Sequence, residues 1–165
     1  NTRYNDPVSG LPQLSGRTRA QGVEFSLAGR IMAKWQASLG LALQEGEVRS
    51  QTTSGGATIP AGRKLAQLPH MQASAWTRYD FTKRFGLGLG LTHQSSMFTT
   101  ISNTVRLPAF TRVDAAAFYD LSDRIAVQLN VENLFDTDYF PSAHTDNNIT
   151  TGKPLNARLT IRAKF

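Results

Sequence analysis

The chain has 165 residues, no cysteine, and 18 Lys and Arg against 12 Asp and Glu, a formal charge of +6. Without cysteine there is no disulfide framework, no thiolate metal site and no cysteine nucleophile. The basic residues stand singly, at Arg17, Arg30, Arg49, Arg63, Arg78, Arg112 and Arg158, so nothing resembles the cationic stripe that grips nucleic acid.

Alternation with period two runs through the chain and predicts extended strands. Residues 17–31 set Val23, Phe25, Leu27 and Ile31 against Glu24, Ser26 and Arg30. Residues 35–50 set Trp35, Ala37, Leu39, Leu41 and Leu43 against Gln36, Ser38 and Gln44. Over 70–81, Met71, Ala73, Ala75, Tyr79 and Phe81 oppose Gln72, Ser74, Arg78 and Asp80. Over 85–99, Phe85, Leu87, Leu89 and Leu91 oppose Gly86, Gly88 and Gly90. Over 110–121, Val113, Ala115, Ala117 and Tyr119 oppose Arg112, Asp114 and Asp120. Residues 125–139 set Ile125, Val127, Leu129 and Val131 against Gln128, Asn130 and Glu132. The last segment, 154–165, sets Leu155, Ala157, Leu159, Ile161, Ala163 and Phe165 against Asn156, Arg158, Thr160, Arg162 and Lys164. Trp76 and Phe118 break the pattern, as apolar residues on polar faces.

Connectors alternate in length. Short ones fall at 32–34, 82–84 and 122–124, and longer ones, rich in Gly, Ser, Thr, Asn and Pro, at 50–69, 99–109 and 141–153. Short turns at one end and long loops at the other predict an up-and-down outer-membrane barrel wall. Trp35, Tyr79, Phe81, Phe85, Tyr119 and Phe165 cluster at the short-turn rim, as an interfacial aromatic girdle would. Phe98, Phe110, Phe135, Tyr139 and Phe140 form a second row at the loop rim. Leu39, Leu89, Val127, Leu129 and Ile161 are expected to face lipid, and Gln128, Asn130, Arg158 and Arg162 the lumen. No run of about 18 apolar residues exists, which excludes a spanning helix, but a spanning strand needs only about 10 residues, alternately apolar. No signal peptide is visible after Asn1. An open sheet of seven strands would leave two long unpaired edges, so the chain reads as a piece of a larger barrel.

These segments carry a resemblance. Asn130-Val131-Glu132-Asn133-Leu134-Phe135-Asp136-Thr137-Asp138-Tyr139-Phe140 is similar to the penultimate strand of TonB-dependent receptors, and Gly152-Lys153-Pro154-Leu155 through Arg158 to Phe165 resembles their ending. Gly16 to Glu24 and Leu107 to Asp114 resemble two further strands of that family, in order and spacing. Ser142-Ala143-His144 with Asp146-Asn147-Asn148-Ile149 resembles the catecholate-siderophore branch, although the family usually carries Gly-x-Pro-Arg where Lys153-Pro154-Leu155-Asn156 stands.

The resemblance implies an all-β fold. Residues 1–165 would supply the last seven antiparallel strands of a barrel of about 22, with the plug domain and the TonB box outside this chain. It implies a ferric siderophore importer of the bacterial outer membrane, not an enzyme, energised through TonB. Its partners would be the ferric siderophore, TonB, outer-membrane lipid and lipopolysaccharide, and the barrel-assembly machinery reading Phe165; nucleic acid is not among them. A passive porin or structural barrel is the alternative, and a soluble lipocalin-like module a third reading. No cofactor is implied.

Gly86-Leu87-Gly88-Leu89-Gly90 precedes no helix, so it reads as strand glycines facing a crowded lumen, not as a phosphate loop. His70, His93 and His144 lack metal-ligand spacing. Asp136 and Asp138 read as a solvated strand end in preference to a calcium site. Glu24, Asp114 and Glu132 lack a matching nucleophile and are expected to pair with Arg19, Arg30, Arg158 or Arg162 on the inner wall. The basic loop residues Arg3, Arg49, Arg63, Lys64, Arg106, Arg112 and Lys153 would attract an anionic chelate by field focusing. Arg106, Arg112 and His144 are the expected ligand contacts.

Overall fold

The computed structural model describes residues 2–5, 12–54 and 56–165, with side chains from residue 16 onward, and it contains no helix among them. One sheet dominates. Its strands are β1 (Thr18–Met32), β2 (Trp35–Val48), β3 (Met71–Asp80), β4 (Phe85–Gln94), β5 (Phe110–Asp120), β6 (Ile125–Glu132) and β7 (Asn156–Ala163). Each pairs antiparallel with its sequence neighbours, so β1 and β7 form the two edges.

Register puts like with like across the sheet. Leu27 lies opposite Leu39, Leu39 opposite Ala75, and Ala75 opposite Leu91. Leu129 lies between Ala117 and Leu159, and Val127 opposite Ile161. On the other face Asn130 lies opposite Arg158, Ala126 opposite Arg162, and Ser74 between Gly40 and Thr92. The aliphatic face is not covered: Val23 is 72 % exposed, Leu89 53 % and Ile161 65 %. Large aliphatics left open along one whole face, with polar groups on the other, are what a sheet between lipid and an aqueous lumen requires. The expected facing of Leu39, Leu89, Val127, Leu129 and Ile161 against Gln128, Asn130, Arg158 and Arg162 matches this register.

Two of the three short turns, at 82–84 and 122–124, share one construction. Thr82 Oγ1 accepts the backbone N–H groups of Arg84 and Phe85 at 3.1 and 2.9 Å, and Ser122 Oγ those of Arg124 and Ile125 at 3.3 and 3.1 Å. A hydroxyl that satisfies two turn N–H groups holds the reversal without a glycine. Beside these turns Tyr79 and Phe81 meet edge to face at 5.0 Å, and Phe81 stacks on Phe85 at 5.9 Å. Trp35 donates its indole N–H to Thr77 Oγ1 at 2.7 Å, which gives a hydroxyl on the aliphatic face its partner. The girdle expected at this rim is therefore present.

The loop rim departs from expectation. The strands predicted to reach residues 99 and 139 stop at Gln94 and Glu132, and the last strand begins at Asn156. The loops contain small hairpins of their own: Thr52–Ser54 with Ala57–Ile59, Met97–Phe98 with Arg106–Leu107, and Ser142–Thr145 with Asn148–Thr150. A further hairpin joins Thr2–Asn5 to Pro12–Ser15. Of the five loop-rim aromatics only Phe135, 72 % exposed, stands open, so they form no outward girdle. Phe110, opposite Gln94 on the polar face, packs on Tyr139 at 4.7 Å, and Tyr139 is only 7 % exposed. Phe140 packs on a small buried cluster of Met97, Leu107 and Ala143. Together these loops have their own core, which is where much of the buried apolar surface of the chain lies.

Candidate ligand site at the loop rim

The lumen wall leads up to the site. Trp76, out of pattern in the sequence, lies flat over Gly88 and Gly90: a Cβ at those positions would come within 2.6 and 2.8 Å of its ring. These glycines exist because another strand's indole occupies the space a side chain would need. Phe118, the second exception, lies under the Arg78 guanidinium, 4.0 Å from ring centroid to Cζ, and Arg78 also bonds Asp80 at 2.8 Å. Both exceptions are thus lumenal rings with partners.

Above them Arg112 on β5 bonds Asp114 Oδ2 at 2.9 Å and donates to the Tyr139 hydroxyl at 3.0 Å. Asp114 uses its other oxygen to accept the N–H of Asn133 at 2.8 Å. Asn133 is 1 % exposed and has φ of 55°. Its Nδ2 donates to the carbonyls of Thr137 and Lys153, each at 3.0 Å, and its Oδ1 accepts the N–H of Thr137 at 2.9 Å. Asp136, at φ 51°, accepts the N–H of Leu155 at 2.7 Å. Two residue types that tolerate left-handed backbone end β6 and clamp the start of β7. Gly152 completes the corner, since a Cβ there would meet the Tyr139 ring at 2.3 Å.

Three loops are then tied into one body. Asn103 and Lys64 exchange two hydrogen bonds, Lys64 N–H to Oδ1 at 2.8 Å and Nδ2 to the Lys64 carbonyl at 2.9 Å. Gln67 N–H reaches the Phe98 carbonyl at 2.8 Å, and its side chain accepts from Ala143 N–H at 3.4 Å. Asp146 accepts from Thr99, Thr100 and Thr104 at 2.5, 2.9 and 3.2 Å. Those hydroxyls, Thr99 first, hold its carboxyl below the usual range. A depressed carboxyl stabilises the folded loops above its unfolded pKa of about 3.9, and that stabilisation is lost as pH falls through the lower folded value. Asp146→Ala is therefore expected to speed amide exchange over 97–107 and 142–150 while the sheet is unchanged, and acidification below that range to do the same in the unmodified chain. Unaltered exchange in the variant would refute the latch.

The expected ligand residues occupy different places. Arg106 bonds Ser96 and lies near the Phe98 ring, at 6.0 Å, lining a cavity of about 390 Å³ with Lys64, His70 and Met97. His144 is exposed on its hairpin and its side chain forms no hydrogen bond or ion pair among the described residues. Arg112 is held in the wall, its side chain 26 % exposed. Arg49 pairs with Glu47 at 3.2 Å. Arg63, Lys64 and Lys153 are exposed, and the side chain of Arg3 lies outside the described residues. Asp114 pairs with Arg112, on its own strand, instead of the arginines expected for it, and Glu24 and Glu132 form no ion pair among the described residues. No cluster of His, Asp and Glu suited to a metal ion occurs among the described residues.

A sheet with an open aliphatic face, a polar inner face, an aromatic rim over short turns and folded loops at the other end is the wall of an outer-membrane β-barrel. The family described as TonB dependent receptor-like, beta-barrel matches residues 1–134, and the chain belongs to it. Among its relatives, the catecholate siderophore receptor Fiu of Escherichia coli K12 is 32 % identical over 163 residues, covering 91 % of this chain and 20 % of Fiu. The probable TonB-dependent siderophore receptor PiuA of Acinetobacter baumannii is 28 % identical over 156 residues, 91 % of this chain and 21 % of PiuA. The crystal structure of PiuA superimposes on all of this chain with a TM-score of 0.90 at 27 % identity, over 24 % of its own length. The closed form of Fiu gives 0.75 at 25 % identity, over 98 % of this chain and 23 % of Fiu. The chain thus spans about a fifth of the length of these relatives.

Proposed function

We propose that this chain is the C-terminal wall segment of a TonB-dependent importer of ferric siderophores, of the catecholate type. The observation that carries the reading is the likeness, over nearly the whole chain, to receptors named for catecholate and other siderophores. Among the described residues both edges of the sheet are unpaired, and a long open edge such as β1 calls for further strands to close a barrel. Energy would come through TonB acting on a plug domain supplied by the rest of the receptor, and no reaction is catalysed. A passive porin is the competing class, since it shares the wall but needs neither plug nor TonB.

In this reading Arg106 and His144 meet the anionic ligand, through charge and ring stacking. Arg112 is retained with them as a residue that positions Tyr139 and the loop corner. Ferric-catecholate uptake by cells carrying the full-length receptor tests the proposal. Uptake should require both TonB and the receptor, and Arg106→Ala with His144→Ala should lower it at normal expression, more at low salt than at high salt. Arg112→Ala should lower it as well, together with loosened protection at 133–155. Uptake that persists without TonB would favour the porin.

Phe165, fully exposed beyond β7, fits the terminal aromatic that the barrel-assembly machinery would read. Deleting it should reduce the receptor recovered in the outer membrane far more than its synthesis. Undiminished membrane levels would remove that role.

A further inference from the structure

We infer that the lumen wall at the short-turn end of β5, β6 and β7 is a docking site for an acidic segment of the domain that fills the barrel, an inference that rests on the plugged-importer reading. A cavity of about 500 Å³ opens there. Five cations line it: Lys83 and Arg84 from one turn, Arg124 from the next, and Arg162 and Lys164 from the end of β7. Only two carboxylates, Asp120 and Asp123, share it.

None of these seven groups forms a side-chain hydrogen bond or ion pair among the described residues. Higher on the same wall Arg78 is paired with Asp80 and Arg112 with Asp114. Arg158, opposite Asn130, has no ion pair among the described residues but stands singly, whereas this end gathers five such cations in one cavity, an excess of positive charge left for an outside partner.

The turns hold that charge in place. The carbonyl of Arg84 accepts the N–H of Asp120, and that of Arg124 the N–H of Lys164, at 2.8 and 2.9 Å. The two cations thus stand in equivalent positions, two strands or about 10 Å apart along the rim. Register places the cavity on the inner side: Ala126 lies opposite Arg162, and the neighbouring Val127–Ile161 pair faces the other way. The transported ligand enters elsewhere, because the 11 residues of β5 separate the two rims by about 35 Å.

A second, smaller cavity continues up the wall, sharing Asp120, Ala126 and Arg162 and adding Phe118, Gln128, Thr160 and the Asp80-paired Arg78. Cations at the base with amide, hydroxyl and ring groups above suit an extended peptide carrying Asp or Glu. A free inorganic anion would use the cations alone.

The test places a photo-crosslinking residue, p-benzoylphenylalanine, at Ala126 in the full-length receptor, which leaves all five cations intact. Irradiated receptor is digested and its cross-linked peptides are sequenced by mass spectrometry. The expected product joins this wall to a plug peptide containing Asp or Glu, and its yield falls several-fold in Arg124→Glu with Arg162→Glu and in high salt. A plug peptide without acidic residues, a yield indifferent to the charge reversal, a phospholipid adduct or no intrachain product would each overturn the docking site. A parent protein that carries no plug at all would overturn the importer reading itself, and upstream sequence distinguishes that failure from the others.

Discussion

Asn133→Ala is expected to lower the stability of the assembled receptor by about 2–4 kcal/mol, because a buried polar group stripped of its partner costs about 1–3 kcal/mol and several are exposed at once. The carbonyls of Thr137 and Lys153 and the N–H of Thr137 all lose the side chain that satisfies them. Alanine must also hold φ of 55°, which costs a further 1 kcal/mol or about that. The measurement is the guanidinium midpoint of the full-length receptor refolded into lipid vesicles. Asn133→Gly separates the two contributions, since it relieves the backbone and still removes the clamp. Glycine should recover only the smaller part. If it restores full stability, the conformational preference and not the hydrogen bonding is what Asn133 supplies.

Leu129→Arg is the second large effect, a loss of roughly 2–4 kcal/mol for a cation on the lipid face near the bilayer midplane. Leu129 is fifth of the eight residues of β6, and its neighbours Ala117 and Leu159 share the aliphatic face. Gln128→Arg, one residue away, should cost little, because Gln128 bonds Asn130 on the polar face and water reaches it. Cysteines at the two positions give an independent reading with a lipid-soluble label, which should modify 129 and spare 128. Equal labelling would contradict the alternation on which the barrel reading rests.

Much of the wall was legible because a strand between lipid and water has a physical period of two. Leu155 to Phe165 showed it most cleanly, and β7 pairs with β6 in the register that keeps Leu159 beside Leu129. The apparent exceptions were informative. Trp76 and Phe118 broke the alternation, and Gly88 and Gly90 make the room for Trp76 while Gly86, opposite Phe118, makes room for Asp80. Only the pairing of β3 with β4, and of β4 with β5, shows which glycine serves which side chain.

The loop rim was not legible in the same way. Alternation continued past Glu132 and past Gln94, so the strands were expected to run on. Asn133 and Asp136 end β6 by taking left-handed backbone, a tolerance that Asn and Asp have but do not always use. Similarly, Phe110 and Tyr139 read as two of the five residues of a second aromatic row, yet they pack on each other and Tyr139 accepts a hydrogen bond from Arg112. Among the expected ligand residues, Arg106 was found on a cavity, His144 on an open hairpin and Arg112 in the wall. The latch residues Asn103 and Gln67 carried no signal, and Asp146 stood out only within a family resemblance and not as a latch, because their partners lie on other loops and a one-dimensional pattern does not encode loop-to-loop contact.

The sequence by itself determined the strand count of the main sheet, its up-and-down order, the face turned to lipid and the family. Each of these follows from local periodicity, turn length and motif, which are properties of neighbouring residues. Only the tertiary structure decided that the long loops are one body around Met97, Leu107 and Ala143, that Arg78 and Arg112 pair with aspartates of their own strands, and that five cations with no ion pair among the described residues gather in the lower wall. Those features depend on which side chains meet across strands and loops far apart in the chain. Burial and hydrogen-bond satisfaction select such contacts only once the sheet has set the distances.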